Sequence, residues 1–256
     1  VSLLLSNFPT LSSQNIFYSS TSTSIKWIAI GISLTVLIYG IIKKIRWRYF
    51  NLNNTLSRII FLLPVLTVVI SYFFSSLGGY VEWCLPLLDG CTSISKVGRY
   101  GVSFYLYKIF IIPSVILMII FWYQINKYIH KSNLLLFLSI TSCIFLIIYL
   151  FALGFEGKIY RFMREIGIFV FFIFSPVCQT YLVFSISNNK IRSKFSLKTL
   201  LSLYLLFVVG YLLILPLDNS NYENVIEWNF AFLIFLFFPL FTGLLRETNV
   251  WNDEFL

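Results

Sequence analysis

The sequence predicts an all-α fold, a polytopic transmembrane bundle of about seven spans in which one N-terminal anchor precedes a six-helix core. Two observations lead to this prediction. Of the 256 residues, 59% are apolar and only 11% are charged, whereas soluble domains average about 25% charged residues. The apolar residues also form continuous runs of about 20 residues, the length a helix needs to cross a bilayer, and not the ~10-residue alternating segments of a β-barrel.

The chain divides into four parts. Residues 1–24 carry no charged side chain and are predicted to be a polar tail. Residues 25–50 are predicted to be the N-terminal anchor, with a span at 27–42 and a basic loop behind it. Residues 51–246 form the six-span bundle, and 247–256 form a short cytosolic tail. The six spans of the bundle are predicted at 59–77, 102–123, 134–153, 166–186, 197–217 and 226–245.

The lysines and arginines behind the net charge of +9 cluster in alternate loops. This distribution indicates how the chain is oriented in the membrane. The loops after the first, third and fifth spans are basic, while the loops between them are neutral or acidic. Since basic loops remain in the cytosol, we expect a non-cytosolic N-terminus and a cytosolic C-terminus. The membrane is a bacterial inner membrane, or a eukaryotic endomembrane or plasma membrane. No nucleic-acid partner is expected.

One basic segment breaks this rule, because residues 154–167 fall on the non-cytosolic side and carry Lys158, Arg161 and Arg164. Arg161, Arg164 and Glu165 follow an i, i+3, i+4 spacing, so they can share one helix face. Two guanidinium groups near a helix N-terminus suit a phosphate or carboxylate, which predicts an anionic lipid headgroup site. In the alternative interpretation, the arginines pair with carboxylates and hold helices together; the candidates are Glu156, Glu165, Glu227 and Asp89.

Two long polar side chains inside the spans, those of Lys108 and Gln179, require a partner or access to the interface. Lys108 is about two turns into its span, where a lysine either extends to the interface or pairs inside the bundle. Glu227 opens the last span on the same side and is the expected partner. Gln179, near the middle of the fifth span of the chain, is expected to hydrogen-bond a neighbouring helix.

The cysteines and the histidine limit the possible chemistry. Cys84 and Cys91 share the long non-cytosolic loop, so a disulfide is predicted if that side is oxidising. Cys143 and Cys178 are interpreted as core residues. His130 is the single histidine, and no metal-ligand cluster or catalytic triad is recognisable, so no cofactor or metal is expected.

Three segments resemble a known family. They are residues 85–95 (Leu-Pro-Leu-Leu-Asp-Gly-Cys-Thr-Ser-Ile-Ser), residues 160–167 (Tyr-Arg-x-x-Arg-Glu-x-Gly) and residues 226–232 (Ile-Glu-Trp-Asn-Phe-Ala-Phe). With the span pattern of 57–246, they resemble the DRAM/Frag/Sfk family of six-span membrane proteins. The resemblance implies lipid or lipid-anchor handling, or membrane trafficking, and supplies no catalytic residues. Lys96 and Arg99 replace the family's acidic pair, and the span at 27–42 is additional.

These observations predict a non-enzymatic protein that binds or organises anionic lipid at its non-cytosolic face. The predicted ligand residues are Arg161, Arg164, Lys108 and Lys158, and the partners are membrane lipids and other membrane proteins. A second hypothesis is a lipid-modifying enzyme, or its accessory subunit, with Glu227 or Glu165 as general base. A third is a small-solute transporter, which the scarcity of ionisable groups at mid-bilayer disfavours.

Overall fold

The computed structural model describes residues 52–128, 131–185, 195–214 and 220–247. The predicted polar tail, the anchor span at 27–42, His130 and residues 248–256 lie outside these ranges. Within them, all regular secondary structure is helical. Five of the helices are long and apolar enough to cross a membrane, which agrees with the predicted all-α membrane fold.

Six long helices and two short ones make up the described structure. The short helices lie in the loop between the first two long helices, and the sequence pattern did not predict them. The helices are α1 (Leu52–Leu77), α2 (Pro86–Asp89), α3 (Ile94–Val97), α4 (Gly101–Tyr128), α5 (Asn133–Ala152), α6 (Lys158–Ser185), α7 (Phe195–Ile214) and α8 (Ser220–Glu247).

The long helices agree with the predicted spans in order and position, but α1, α6 and α8 begin earlier. Helix α1 starts at Leu52 instead of residue 59. Helix α6 starts at Lys158 instead of residue 166, and α8 starts at Ser220 instead of residue 226. Hydropathy locates the apolar middle of a helix, whereas backbone hydrogen bonding continues into its charged turns. The basic segment is therefore the first two turns of α6, and Glu227 lies inside α8 and not at its opening.

The long helices pack as a closed series of neighbours. Helix α1 lies against α4 and α8, α4 lies against α5, and α5 lies against α6. Helix α7 packs on α8, and α6 contacts both of them. The short helices α2 and α3 pack on the N-terminal half of α8. Helix α8 thus packs on α1, α2, α3, α6 and α7, and its Phe238 also packs on Phe121 of α4.

The outward surface of α1 is apolar. Leu62, Leu66, Val69 and Phe73 follow a spacing of three or four residues, so they occupy one helix face. They are 48–54% exposed. Large contiguous apolar surfaces are unusual on soluble monomers. This face is suited to lipid acyl chains.

Hydroxyl groups join the long helices internally. Ser57 Oγ on α1 and Thr242 Oγ1 on α8 are 2.6 Å apart. Ser142 Oγ on α5 and Ser175 Oγ on α6 are 2.7 Å apart. Small hydroxyl residues let helix backbones approach closely and satisfy one another across an apolar interior. These contacts fix the relative positions of helices that carry the candidate site at one end.

Gln179 on α6 joins three helices. Its Nε2 donates to the Ile234 carbonyl of α8 at 2.9 Å. The Tyr204 hydroxyl on α7 contacts both Gln179 Oε1 and the Leu233 carbonyl of α8. The predicted interhelical role of Gln179 is confirmed, and its fully buried amide has both ends hydrogen-bonded.

Candidate functional site

The polar residues of interest collect at one end of the bundle. We call it the disulfide end, because it includes loop 78–100, in which Cys84 and Cys91 are joined by a disulfide. Loop 153–157, which connects α5 to α6, lies at the same end, as shown by the approach of its Gly154 to the Arg99 carbonyl. The first turns of α6 and α8 also belong to it.

Loop 78–100 is attached to α8 by side chains of that helix. Trp228 Nε1 donates to the Thr92 carbonyl at 2.8 Å. Asn224 Nδ2 donates to the Gly90 carbonyl, also at 2.8 Å. These bonds satisfy backbone acceptors of an irregular segment, which is needed where it lies against an apolar helix bundle. The loop is therefore an ordered part of the disulfide end.

Glu227 takes part in the same attachment. Its carboxylate accepts hydrogen bonds from the backbone N–H groups of Ile94 and Ser95, at the start of α3. The next residue but one, Asn229, donates to the Leu87 carbonyl at 2.8 Å. The ion pair between Glu227 and Lys108, one of the two alternatives for Lys108, is not formed in the described structure, where the Glu227 carboxylate is engaged with the loop backbone.

Asp89 is also used within its own loop. The side chain is exposed, and Oδ2 accepts a hydrogen bond from the Leu85 backbone N–H at 2.8 Å. Leu85 immediately precedes α2, so Asp89 satisfies a backbone donor at the start of that short helix. The Asp89 carboxylate therefore has a hydrogen-bond partner within its own loop, and no arginine pairs with it in the described structure.

Arg164 holds loop 153–157 against the start of α6. The side chain is half-buried, and Nη1 donates to the Phe155 carbonyl at 2.6 Å and to the Ala152 carbonyl at 3.1 Å. The Ala152 carbonyl belongs to the last turn of α5, where acceptors lack helical partners. Arg164 thus joins α5 to α6. Both of its hydrogen-bond acceptors are carbonyls, so neither contact pairs its positive charge with a carboxylate.

Lys108 lies near the ring of Phe155, the residue whose carbonyl Arg164 binds. The residue is 1% exposed, and its Nζ has no hydrogen-bond partner among the described residues. The ammonium nitrogen is 4.0 Å from the ring centroid of Phe104 and 4.9 Å from that of Phe155. These cation–π contacts stabilise the ammonium partly, yet they leave its three N–H donors unused.

The other predicted ligand and counter-ion residues of this region lie on the surface. Lys158, Arg161 and Glu165 are exposed on the first two turns of α6, and Glu156 is exposed in loop 153–157. Arg161 and Glu165 both act electrostatically on Arg164. The structure therefore brings Lys108 near the Phe155 ring and Arg164 onto the Phe155 carbonyl, while the remaining charges stay on the surface.

A second polar group at this end was not predicted. Tyr149 on α5 is 3% exposed, and its hydroxyl has no hydrogen-bond partner in the described residues. It lies within electrostatic reach of Glu227, Arg99 and Arg164. Arg99 donates from Nη2 to Ser95 Oγ at 3.1 Å, but its buried Nε has no partner in the described structure. The one available signal was the tyrosine near the end of this span, which is the only tyrosine in α5.

The unpartnered groups at the disulfide end share a property. The Lys108 ammonium and the Arg99 Nε–H can only donate hydrogen bonds, and the Tyr149 hydroxyl is also a donor. What these groups require is therefore an acceptor. Among the described residues, no group of His, Cys, Asp and Glu side chains is placed to hold a metal ion. The arrangement is suited to binding anions.

Comparison of the chain with protein-family models, curated proteins and solved structures finds no match.

Proposed function

We propose that this chain is a seven-span integral membrane protein that binds an anionic lipid headgroup at its disulfide end. The six long helices and the predicted anchor at 27–42 would supply the spans. Lys108 and Arg164 contact the headgroup, and Arg161 and Lys158 lie around it. The lipid-handling role implied by the resemblance to DRAM/Frag/Sfk proteins belongs to the same proposal.

The buried Lys108 ammonium is the observation that carries the proposal. Removing an ammonium from water costs several kcal/mol even after the protein relaxes. Its desolvated cation–π contacts with Phe104 and Phe155 offset about 2 kcal/mol of this cost. The remaining cost is offset if an anionic oxygen approaches Nζ and accepts its hydrogen bonds. A lysine kept at this depth is a functional-site residue by default.

The surroundings favour a lipid over a soluble anion. Ile159 and Phe162, on the first turns of α6, are more than 60% exposed and stand beside the exposed Arg161. Apolar side chains alternating with cations match the boundary between acyl chains and headgroups. A dissolved phosphate would gain nothing from such apolar neighbours. The enzyme hypothesis is less favoured, because Glu227 accepts two backbone hydrogen bonds and Glu165 is exposed.

Native mass spectrometry tests this proposal. Detergent-purified wild type, Lys108→Met and the control Lys96→Met are titrated with a phosphatidylglycerol and with a phosphatidylcholine of equal chain length. Lys96 is exposed on α3 at the same end, so its loss removes an equal charge without touching the buried site. We expect the wild type and Lys96→Met to prefer phosphatidylglycerol, and Lys108→Met to bind it about tenfold more weakly, or about 1.4 kcal/mol.

Two results would contradict the proposal. One is equal affinity of the wild type for the two lipids. The other is undiminished binding of phosphatidylglycerol by Lys108→Met.

The proposal places the disulfide end on the non-cytosolic side, in line with the alternation of basic loops and with a disulfide in loop 78–100. On intact cells, an impermeant maleimide is expected to label the protein only after treatment with an impermeant reductant. The new label should map to Cys84 and Cys91, because Cys143 and Cys178 are fully buried. If labelling occurs only in permeabilised cells, the orientation is opposite to the proposed one. A Cys84→Ser/Cys91→Ser variant is the control and should remain unlabelled.

A further inference from the structure

We infer that the disulfide end contains a second, enclosed anion site, in which the Arg99 Nε–H and the Tyr149 hydroxyl bind one small inorganic anion of halide size. This site does not rest on the proposed lipid function, because Lys108 takes no part in it. Arg99 belongs to loop 78–100 and Tyr149 belongs to α5. Both residues lie near the point where that loop meets the C-terminal end of α5.

Two contacts of neighbouring residues and one electrostatic interaction place Arg99 and Tyr149 in the same region. Tyr149 is one helical turn before Leu153, and Leu153 packs against Gly98, the neighbour of Arg99. The Arg99 carbonyl is in contact range of Gly154. The Tyr149 hydroxyl also lies within electrostatic reach of Arg99. Arg99 and Tyr149 thus approach the same region from the loop and from α5.

The missing partner must be an acceptor. An arginine Nε–H can only donate a hydrogen bond, and the hydrogen of a tyrosine hydroxyl likewise needs an acceptor. Neither atom has a partner among the described residues, although both are buried. A buried unsatisfied donor destabilises the folded protein, and more so when it is charged. One anion that accepts from both groups removes both costs.

The charges near Tyr149 favour an anion over a neutral acceptor. Two guanidinium groups, Arg99 and Arg164, and one carboxylate, Glu227, act on the hydroxyl. The Glu227 carboxylate already accepts two backbone hydrogen bonds. Arg164 donates to carbonyls, which carry no net charge. Two positive charges and one negative charge therefore act on the hydroxyl, and the negative charge is already engaged with the loop backbone.

The packing restricts the size of the ligand. A methyl group on Gly98 would meet the Tyr107 ring at 2.8 Å and Leu153 at 3.0 Å. A methyl group on Gly167 would meet Tyr149 Cβ at 2.8 Å. The surrounding side chains are thus closely packed, so a monatomic anion would require less rearrangement than a phosphate or a carboxylate ester.

Thermal unfolding in chloride and in gluconate, at equal ionic strength, tests the inference. Gluconate is too large for the site, so chloride alone should stabilise the folded protein by mass action. We expect the Tm of the detergent-purified wild type to rise saturably by about 3 °C when chloride replaces gluconate. Tyr149→Phe should be at least as stable as the wild type in gluconate, because it removes a buried hydroxyl that makes no hydrogen bond there, and it should lose the rise in chloride.

Tyr123→Phe is the matched control, since Tyr123 is exposed at the opposite end of α4 and should keep the full response. Chloride-35 NMR gives a readout independent of stability, as line broadening by the wild type should disappear in Tyr149→Phe. The inference is overturned if the wild type melts equally in both salts, or if Tyr149→Phe retains the chloride response or the line broadening.

Discussion

Gly90→Ala is expected to lower the free energy of unfolding by about 3 kcal/mol and to detach loop 78–100 from α8. Gly90 has φ of +63°, a backbone conformation in which a Cβ is strained. A Cβ at this position would also come within 1.9 Å of the Asn221 carbonyl oxygen of α8. Because that atom belongs to a helix backbone, the loop must move instead, and the bond from Asn224 to the Gly90 carbonyl is lost.

Gly79→Ala separates the two causes. Gly79 has φ of +71°, yet nothing lies within 4 Å of the position that a Cβ would occupy there. This control carries the backbone strain without the collision, and we expect it to cost about 1 kcal/mol. Denaturant unfolding in detergent micelles, followed by tryptophan fluorescence, measures both. Equal destabilisation by the two variants would show that loop 78–100 is not packed against α8 as described.

The second large effect is a gain in stability. In the lipid-free protein, Lys108→Met is expected to raise the free energy of unfolding by about 2 kcal/mol. Methionine keeps the length and the apolar stem of lysine and removes a buried ammonium that has no hydrogen-bond partner among the described residues. Replacing a buried charge by an apolar side chain of similar volume is often neutral or stabilising.

The same unfolding assay measures this gain. Lys96→Met is the control and should change stability by less than about 0.5 kcal/mol, because Lys96 is exposed. A marked loss of stability in Lys108→Met would mean that the ammonium has a stabilising partner in the protein itself. In that case Lys108 would be a structural residue and not a residue kept for binding.

The sequence was sufficient to predict the helices because the bilayer imposes a simple pattern on it. Runs of apolar residues located α1, α4, α5, α6, α7 and α8 in order. The early starts of α6 and α8 escaped this reasoning, because Lys158, Arg161 and Glu223 lower the hydropathy without ending the helix. Helix boundaries there depend on backbone hydrogen bonds that extend past the apolar region.

The candidate site was predictable only in part. The unusual positions of Lys108 and Arg164 were visible in the sequence, because charge is rare in this chain. The partner of Glu227 was not visible, because it consists of backbone N–H groups of α3, a short helix that the sequence pattern did not predict. Arg99 and Tyr149 were missed as a pair, since tertiary packing alone brings residues from a loop and a span together.

The lipid dependence of Tm for wild type and Lys108→Met tests the central claim most directly. Both delipidated proteins are melted with phosphatidylglycerol, with phosphatidylcholine and with inorganic phosphate. We predict that, without lipid, Lys108→Met has a higher Tm than the wild type. Of the three additions, phosphatidylglycerol alone should raise the Tm of the wild type, by several degrees, and it should leave the Tm of the variant unchanged. An equal rise in both proteins would contradict a headgroup site at Lys108, and an equal rise of the wild type with inorganic phosphate would contradict a lipid ligand.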